Sequence, residues 1–367
     1  MKLKITTISP IHIGSGETNP RYLYRKDKDY LERYALNDIL ISLQKNMKLD
    51  DFLKLNFTDD SDAGKGRILK LFDQYVHYDE LKPLYYLYDY GYKSKNNVSE
   101  QIKSMYKPYI PGSSVKGSVM NAVVFHFIKQ RIKKAIEYIE DNPKRLSDSY
   151  LLDDLYGKGF NDALEFYRQC LYCRDIYFKD NSLILCHSQR LNMKTNRESG
   201  FTDYECIDYG IETEGDFITF DTSKKEIFKE KFPSFYEYFQ PLFSMSNLFV
   251  VIRNYYNRIS QEDILYFKEH DFGLDMNLDD LYPRSEKGSD ECILRIGNST
   301  NYFFKTVSLL FKEHNFDIYR KHFDLFAPAR LGKKNSPRAD TMPKTRVVFE
   351  FDHQYYLPGI LKIEKCK

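Results

Sequence analysis

Leu3, Ile5 and Thr7 alternate with Lys2, Lys4 and Thr6, a period of two that predicts a half-buried strand ending at Ser9-Pro10. A glycine turn follows, from His12 to Gly16. Residues 35–106 read as helical and peripheral, with an acidic tip at Asp59, Asp60 and Asp62. The stretch 110–117, IPGSSVKG, then opens a helix. Val119, Val123 and Phe127, followed by Val124, Ile128 and Ile132, place an apolar stripe along it to about Ile139, and Asn142-Pro143 ends it. Strands are expected at 174–178, 182–186 and within 204–220, and a second helical stretch at 224–272. The strand 292–297 runs into a glycine-polar turn, 297–300, and a loop at 327–345 precedes a last strand at 346–351. Helices and adjacent strands alternate irregularly, which predicts an α+β fold rather than a doubly wound parallel sheet.

Length and composition change this picture little. A chain of 367 residues suits two domains. No apolar run reaches the ~20 residues that span a bilayer, and the alternating N-terminus does not read as a signal peptide, so no membrane partner is expected. The six cysteines are scattered, which fits a reducing cytoplasm. Cys170 and Cys173 have a metal-like spacing, but no second pair completes a tetrahedral site, so neither a metal nor a cofactor is expected. The net charge of +2 excludes a globally basic nucleic-acid binder, so any polyanion site must be a local patch.

Three turns supply candidates for that patch. In IPGSSVKG, Ser113 or Ser114 can cap the helix, and free N–H groups at a helix start attract anions. Lys116 opposes the helix dipole, and Gly117 costs ~1 kcal/mol against alanine inside a helix. Both choices are explained if a phosphate contacts Lys116 and Gly112, Ser113, Ser114 and Gly117 leave room for it. The His12 turn, with Gly14, Ser15 and Gly16, lacks the third glycine of a dinucleotide fingerprint, and no P-loop occurs in the chain. The turn Gly297-Asn298-Ser299, followed by Lys305, repeats the chemistry of the other two. Backbone nests of this kind hold phosphates without reading bases. The stretch 320–346 carries eight basic residues, among them Lys333, Lys334, Lys344 and Arg346, against two aspartates, which also suits a polyanion.

These segments together resemble the RAMP superfamily of CRISPR proteins: LKITTISPIHIGSGE, YIPGSSVKGSVMNAV, RDIYF, ILRIGNSTNYFFKTV and MPKTRVVF. Within it they resemble the family of the fifth Csm subunit of the type III-A effector. The resemblance implies a ferredoxin-like (RRM-like) βαββαβ core with large helical insertions. It places a RAMP domain at 1–220, with an insertion near 35–106. Residues 221–367 either complete that fold or form a second, degenerate RRM-like half. The implied role is that of a non-catalytic subunit that binds the 3′ part of CRISPR RNA by its backbone and caps the filament of neighbouring Csm backbone subunits. It would support 3′-end maturation through recruited host nucleases. The implied RNA contacts are His12, Gly14, Ser15 and Gly16; Gly112, Ser113, Ser114, Lys116 and Gly117; Gly297, Asn298, Ser299 and Lys305; and Lys344 and Arg346. The alternative is a metal-independent RAMP endoribonuclease with His12 as general base. The aromatic stacking signature of an RRM is not evident in the sequence, which favours backbone contacts.

Overall fold

In a computed structural model of the chain, residues 1–47, 51, 54, 61–89, 96–142, 148–178, 182–192, 197–270, 290–300, 302–319 and 345–366 are described. The alternation at the N-terminus becomes the strand Leu3–Thr7, with Leu3, Ile5 and Thr7 buried and Lys4 and Thr6 half-buried. It is the second strand of a four-stranded sheet ordered Glu212–Gly215, Leu3–Thr7, Ile360–Lys365 and Glu291–Arg295, antiparallel at every step. Ile5 lies opposite Ile363, so the two ends of the chain close this sheet together. The helices Gly112–Gln130 and Met245–Glu269 pack on one another and on Glu291–Arg295. Strands from both sides of residue 220 therefore share one sheet and one core.

A larger mixed sheet is built around the antiparallel pair Leu183–Asn192 and Arg197–Ile207, with Thr345–Phe351 on the outer side of the first. One of its faces is covered by the helices Leu36–Asn46 and Asp62–Tyr75, and Ile39, Leu43 and Phe72 meet Leu31, Leu87 and Leu185 in a second core. This corrects the reading of 35–106 as helical. Tyr85–Tyr88 and Val98–Gln101 are strands of the large sheet, each parallel to its distant neighbour. Aromatic and β-branched residues suit a pleated surface, but the partner strands lie far off in sequence on both sides, Tyr30–Arg33 and Leu183–Asn192 for the first and Gly14–Asn19 and Arg197–Ile207 for the second.

Two local expectations shift for identifiable reasons. The first glycine turn forms a bulged edge strand, Gly14–Asn19. Gly14 lies opposite Gln101 and Thr18 opposite Ser99, and the residues between them loop out around Gly16, whose φ is +96°. The long helix forms in two pieces, Gly112–Gln130 and Ile132–Asp141. Arg131 leaves the helical conformation between them. Its guanidinium donates to the Leu155 carbonyl at 2.5 Å and lies 4.2 Å from the centre of the Tyr156 ring. No described helix is long and apolar enough to cross a membrane.

Candidate nucleic-acid interface

The first and third turns are joined through their backbones. The Asn298 N–H donates to the His12 carbonyl at 2.8 Å. Gly297, at φ +91°, is pressed so close to that carbonyl that a Cβ would stand 2.4 Å from its oxygen. Ser299 adopts φ +62°, with its N–H donating to Asn298 Oδ1 at 2.8 Å. Gly359 ties both to the last strand: its N–H donates to the Pro10 carbonyl, and its own carbonyl accepts from Ile296.

The second turn is attached by side chains. Gln101 Oε1 accepts from the Ile13 N–H at 2.8 Å, and its Nε2 donates to the Tyr109 carbonyl at 3.2 Å, just ahead of IPGSSVKG. Ser118 donates to the Arg295 carbonyl at 3.3 Å, and Asn121 to that of Phe304 at 3.3 Å, so the Gly112–Gln130 helix lies along the third turn. Three segments far apart in sequence thus share one framework.

Within it the candidate residues separate into two groups. Gly14, Ser15, Gly16, Ser113, Gly117, Asn298 and Lys305 are exposed, and Ser114, Lys116 and Ser299 are half-buried. Gly112 and Gly297 serve the fold instead. A Cβ on Gly112 would stand 2.0 Å from the Cys173 carbonyl oxygen. The Gly112 N–H donates to Asp175 Oδ1 at 2.8 Å, which supplies an anion at the helix start from within the chain. The expectation that Gly112 meets a phosphate is corrected accordingly. Gly117 is different: among the described residues nothing lies within 4 Å of where its Cβ would be, so no described contact requires glycine there.

His12 and Arg346 are also corrected as direct contacts. The His12 side chain has no exposed surface. Its Nδ1 lies 2.7 Å from the Glu205 carbonyl and so carries the proton, while Nε2 accepts from Ser99 at 3.3 Å. Burial lowers its pKa to about 4, and the Lys103 charge adds to this against the carbonyl hydrogen bond. A histidine so enclosed cannot reach a scissile phosphate. Arg346 is buried, with Nε 2.7 Å from Asp263 Oδ1, while Arg295 Nη1 takes Oδ2 at 3.0 Å. Their guanidinium groups lie 4.1 Å from the Tyr266 ring and 5.0 Å from the Phe304 ring. This cluster fastens the strands Glu291–Arg295 and Thr345–Phe351 to the Met245–Glu269 helix. Lys333, Lys334 and Lys344, and the acidic tip at Asp59 and Asp60, lie outside the described residues.

Two buried carboxylates escaped sequence reasoning. Glu205 accepts from Tyr24 at 2.8 Å, Tyr85 at 2.7 Å and the Gln101 N–H at 3.1 Å, and it pairs with Lys103 beneath the first turn. Asp263 had a legible signal. It stands four residues after Ile259 and four before Phe267, on the apolar face of its helix. No such signal marks Glu205. Among the described residues, no group of three or more His, Cys, Asp and Glu side chains could hold a metal ion.

The sequence profile of the RAMP superfamily matches residues 4–269. The chain belongs to the RAMP superfamily. Within that superfamily it is similar to a Methanocaldococcus jannaschii protein described as CRISPR system Cms protein Csm5, at 27% identity over 161 residues. That alignment covers 40% of this chain and 36% of the relative, so the chain spans about a third of that protein's length in the match. Two solved structures share the fold end to end. One is a chain of a Csm–crRNA–target RNA ternary complex from a type III-A CRISPR–Cas system, with a TM-score of 0.69 and 20% identity, covering 99% of this RAMP chain and 100% of that one. The other is the T. onnurineus Csm5 crystal structure, with a TM-score of 0.61 and 16% identity, covering 98% and 99%.

Proposed function

We propose that this chain is a non-catalytic, Csm5-like subunit of a type III-A Csm effector complex. In this reading it holds the 3′ part of the CRISPR RNA by its backbone and caps the filament of Csm backbone subunits in the cytoplasm. It also supports 3′-end maturation by nucleases that it recruits. The four-stranded antiparallel sheet with its two helices is read as the ferredoxin-like core. The observation that carries the proposal is the joining of three glycine-polar turns, through Asn298, Gln101 and Ser118, in a chain whose fold matches a component of a Csm–crRNA–target RNA complex. Among the candidates, the exposed residues Ser15, Gly16, Ser113, Gly117, Asn298 and Lys305, together with the half-buried Lys116, are assigned to the RNA. His12, Gly112, Gly297 and Arg346 are assigned to its support.

The test is co-expression of the tagged chain with its neighbouring genes and a CRISPR array. Co-purified CRISPR RNA and Csm subunits, ultraviolet crosslinks at the three turns, and longer CRISPR RNA 3′ ends in a deletion strain are expected. Purification of the chain free of both RNA and Csm subunits would overturn the proposal.

A further inference from the structure

Beside the start of the Gly112–Gln130 helix, two tyrosine rings stand in solvent. Tyr172 and Tyr177 are each 49% exposed. Tyr177 stacks on Tyr109 across the pairing of Ile176–Tyr177 with Lys107–Ile110. The ring centres are 5.3 Å apart and the planes 22° apart, which holds Tyr177 flat with one side outward. Tyr172 has the Lys224 ammonium 5.1 Å from its ring centre and 3.5 Å from its hydroxyl.

Both rings are fixed relative to IPGSSVKG, because Gly112 is seated on the Cys173 carbonyl and bonded to Asp175 between them. Cations alternate with the rings. Lys107 and Arg174 are exposed, and Lys116 and Lys224 are half-buried. Burial raises the Cys170 thiol to about 11, and the Lys224 and Lys116 ammonium groups both lie close enough to act against that rise. Among the described residues, Asp175 accepts from the Gly112 N–H, and Asp221 accepts from the Lys224 N–H as a helix cap.

Exposed rings interleaved with cations are the composition of a single-strand nucleic-acid track, in which bases stack on rings and phosphates meet charges. A protein interface core would be depleted of lysine instead. We propose that Tyr172 and Tyr177 are base-stacking residues for single-stranded RNA, whose phosphates are held by Lys116, Arg174 and Lys224. The proposal rests on the RNA-binding reading above and extends it from backbone contact to stacking. The two tyrosines are five residues apart, so their Cα atoms are at most about 18 Å apart. A cleft of about 570 Å³ is lined by Tyr177 and Phe178 on one side and by Lys4, Glu212, Thr213 and Glu214. Lys4 and Lys2 are engaged by Glu212 and Glu214, each at 2.7 Å, so phosphates find their cation on the other side of Tyr177, at exposed Lys107.

The experiment uses the full chain and two labelled oligonucleotides of about 12 nucleotides, oligouridine and an abasic ribose-phosphate strand of equal length. Tyr172→Leu and Tyr177→Leu are each expected to weaken oligouridine binding about 5- to 140-fold, the range of a single base–ring stack. They are expected to leave the abasic strand and the melting temperature unchanged, and Tyr→Phe at either position is expected to retain full affinity. If the leucine variants affect both strands alike, or neither, while the unaltered chain binds RNA, stacking is overturned and the RNA-binding reading stands. If the unaltered chain binds neither strand, both fall. Intact RNA binding with loss of co-purified Csm subunits would mark the rings as a protein interface and overturn stacking.

Discussion

The Asn298 N–H and the His12 carbonyl, 2.8 Å apart, make the first and third turns two sides of one backbone unit. Gly297 shares that carbonyl and holds φ at +91°. Gly297→Ala therefore meets both a steric and a conformational penalty, and a loss of about 2–4 kcal/mol is expected in urea unfolding. RNA affinity should fall as well, because the two turns move together.

Lys116→Ala separates charge from fold. Its stability should stay within about 0.5 kcal/mol of the parent. The slope of log affinity against log salt should flatten by about 0.7 if one phosphate contact is lost from a single strand. An unchanged slope would remove Lys116 from the RNA interface.

Gly117→Ala should dissociate stability from binding in the opposite sense. With open space around the new methyl group and alanine favoured in a helix, the variant is expected to gain about 0.5–1 kcal/mol. If the bare backbone serves the approach of RNA, affinity should drop although the protein is more stable. Parallel thermal melts and anisotropy titrations read both effects.

His12 predicts a pH dependence. Its pKa is about 4 in the fold against 6.5 ordinarily, so on acidification the unfolded chain takes up the proton first. The His12 contribution is complete above about pH 6.5 and is lost progressively down to about pH 4, at about 1.4 kcal/mol per pH unit and about 3 kcal/mol in all. His12→Gln should lack this share of the acid sensitivity. The comparison is urea midpoints of parent and variant between pH 7 and 4.5, which cancels the carboxylates common to both.

Asp263→Ala leaves Arg295 and Arg346 buried without their shared carboxylate and should cost about 3–5 kcal/mol. Arg346→Met keeps the Arg295 pair and should cost less, about 1–3 kcal/mol. Its RNA salt slope should match the parent, unlike that of Lys116→Ala. A flattened slope in Arg346→Met would return this residue to the interface.

What the sequence determined by itself was local. The alternation of Leu3, Ile5 and Thr7, the helix opening in IPGSSVKG and the strands expected at 182–186 and 346–351 follow from side-chain period and turn chemistry, which act over a few residues, although the first of these strands runs on to Asn192. The same local chemistry picked out all three glycine-polar turns. Only tertiary structure decided what each polar residue in them faces. Arg346 and Lys116 look alike as cations beside a strand and a helix, yet one lies against Asp263 from a helix some eighty residues away and the other meets solvent. Gly112, Gly117 and Gly297 are also alike on paper. Two are fixed by carbonyl groups brought from Cys173 and His12, and the third is open. Desolvation and close backbone approach depend on partners that the chain supplies only after it has closed over its full length, from Leu3 to Lys365, so they leave no local trace in the sequence.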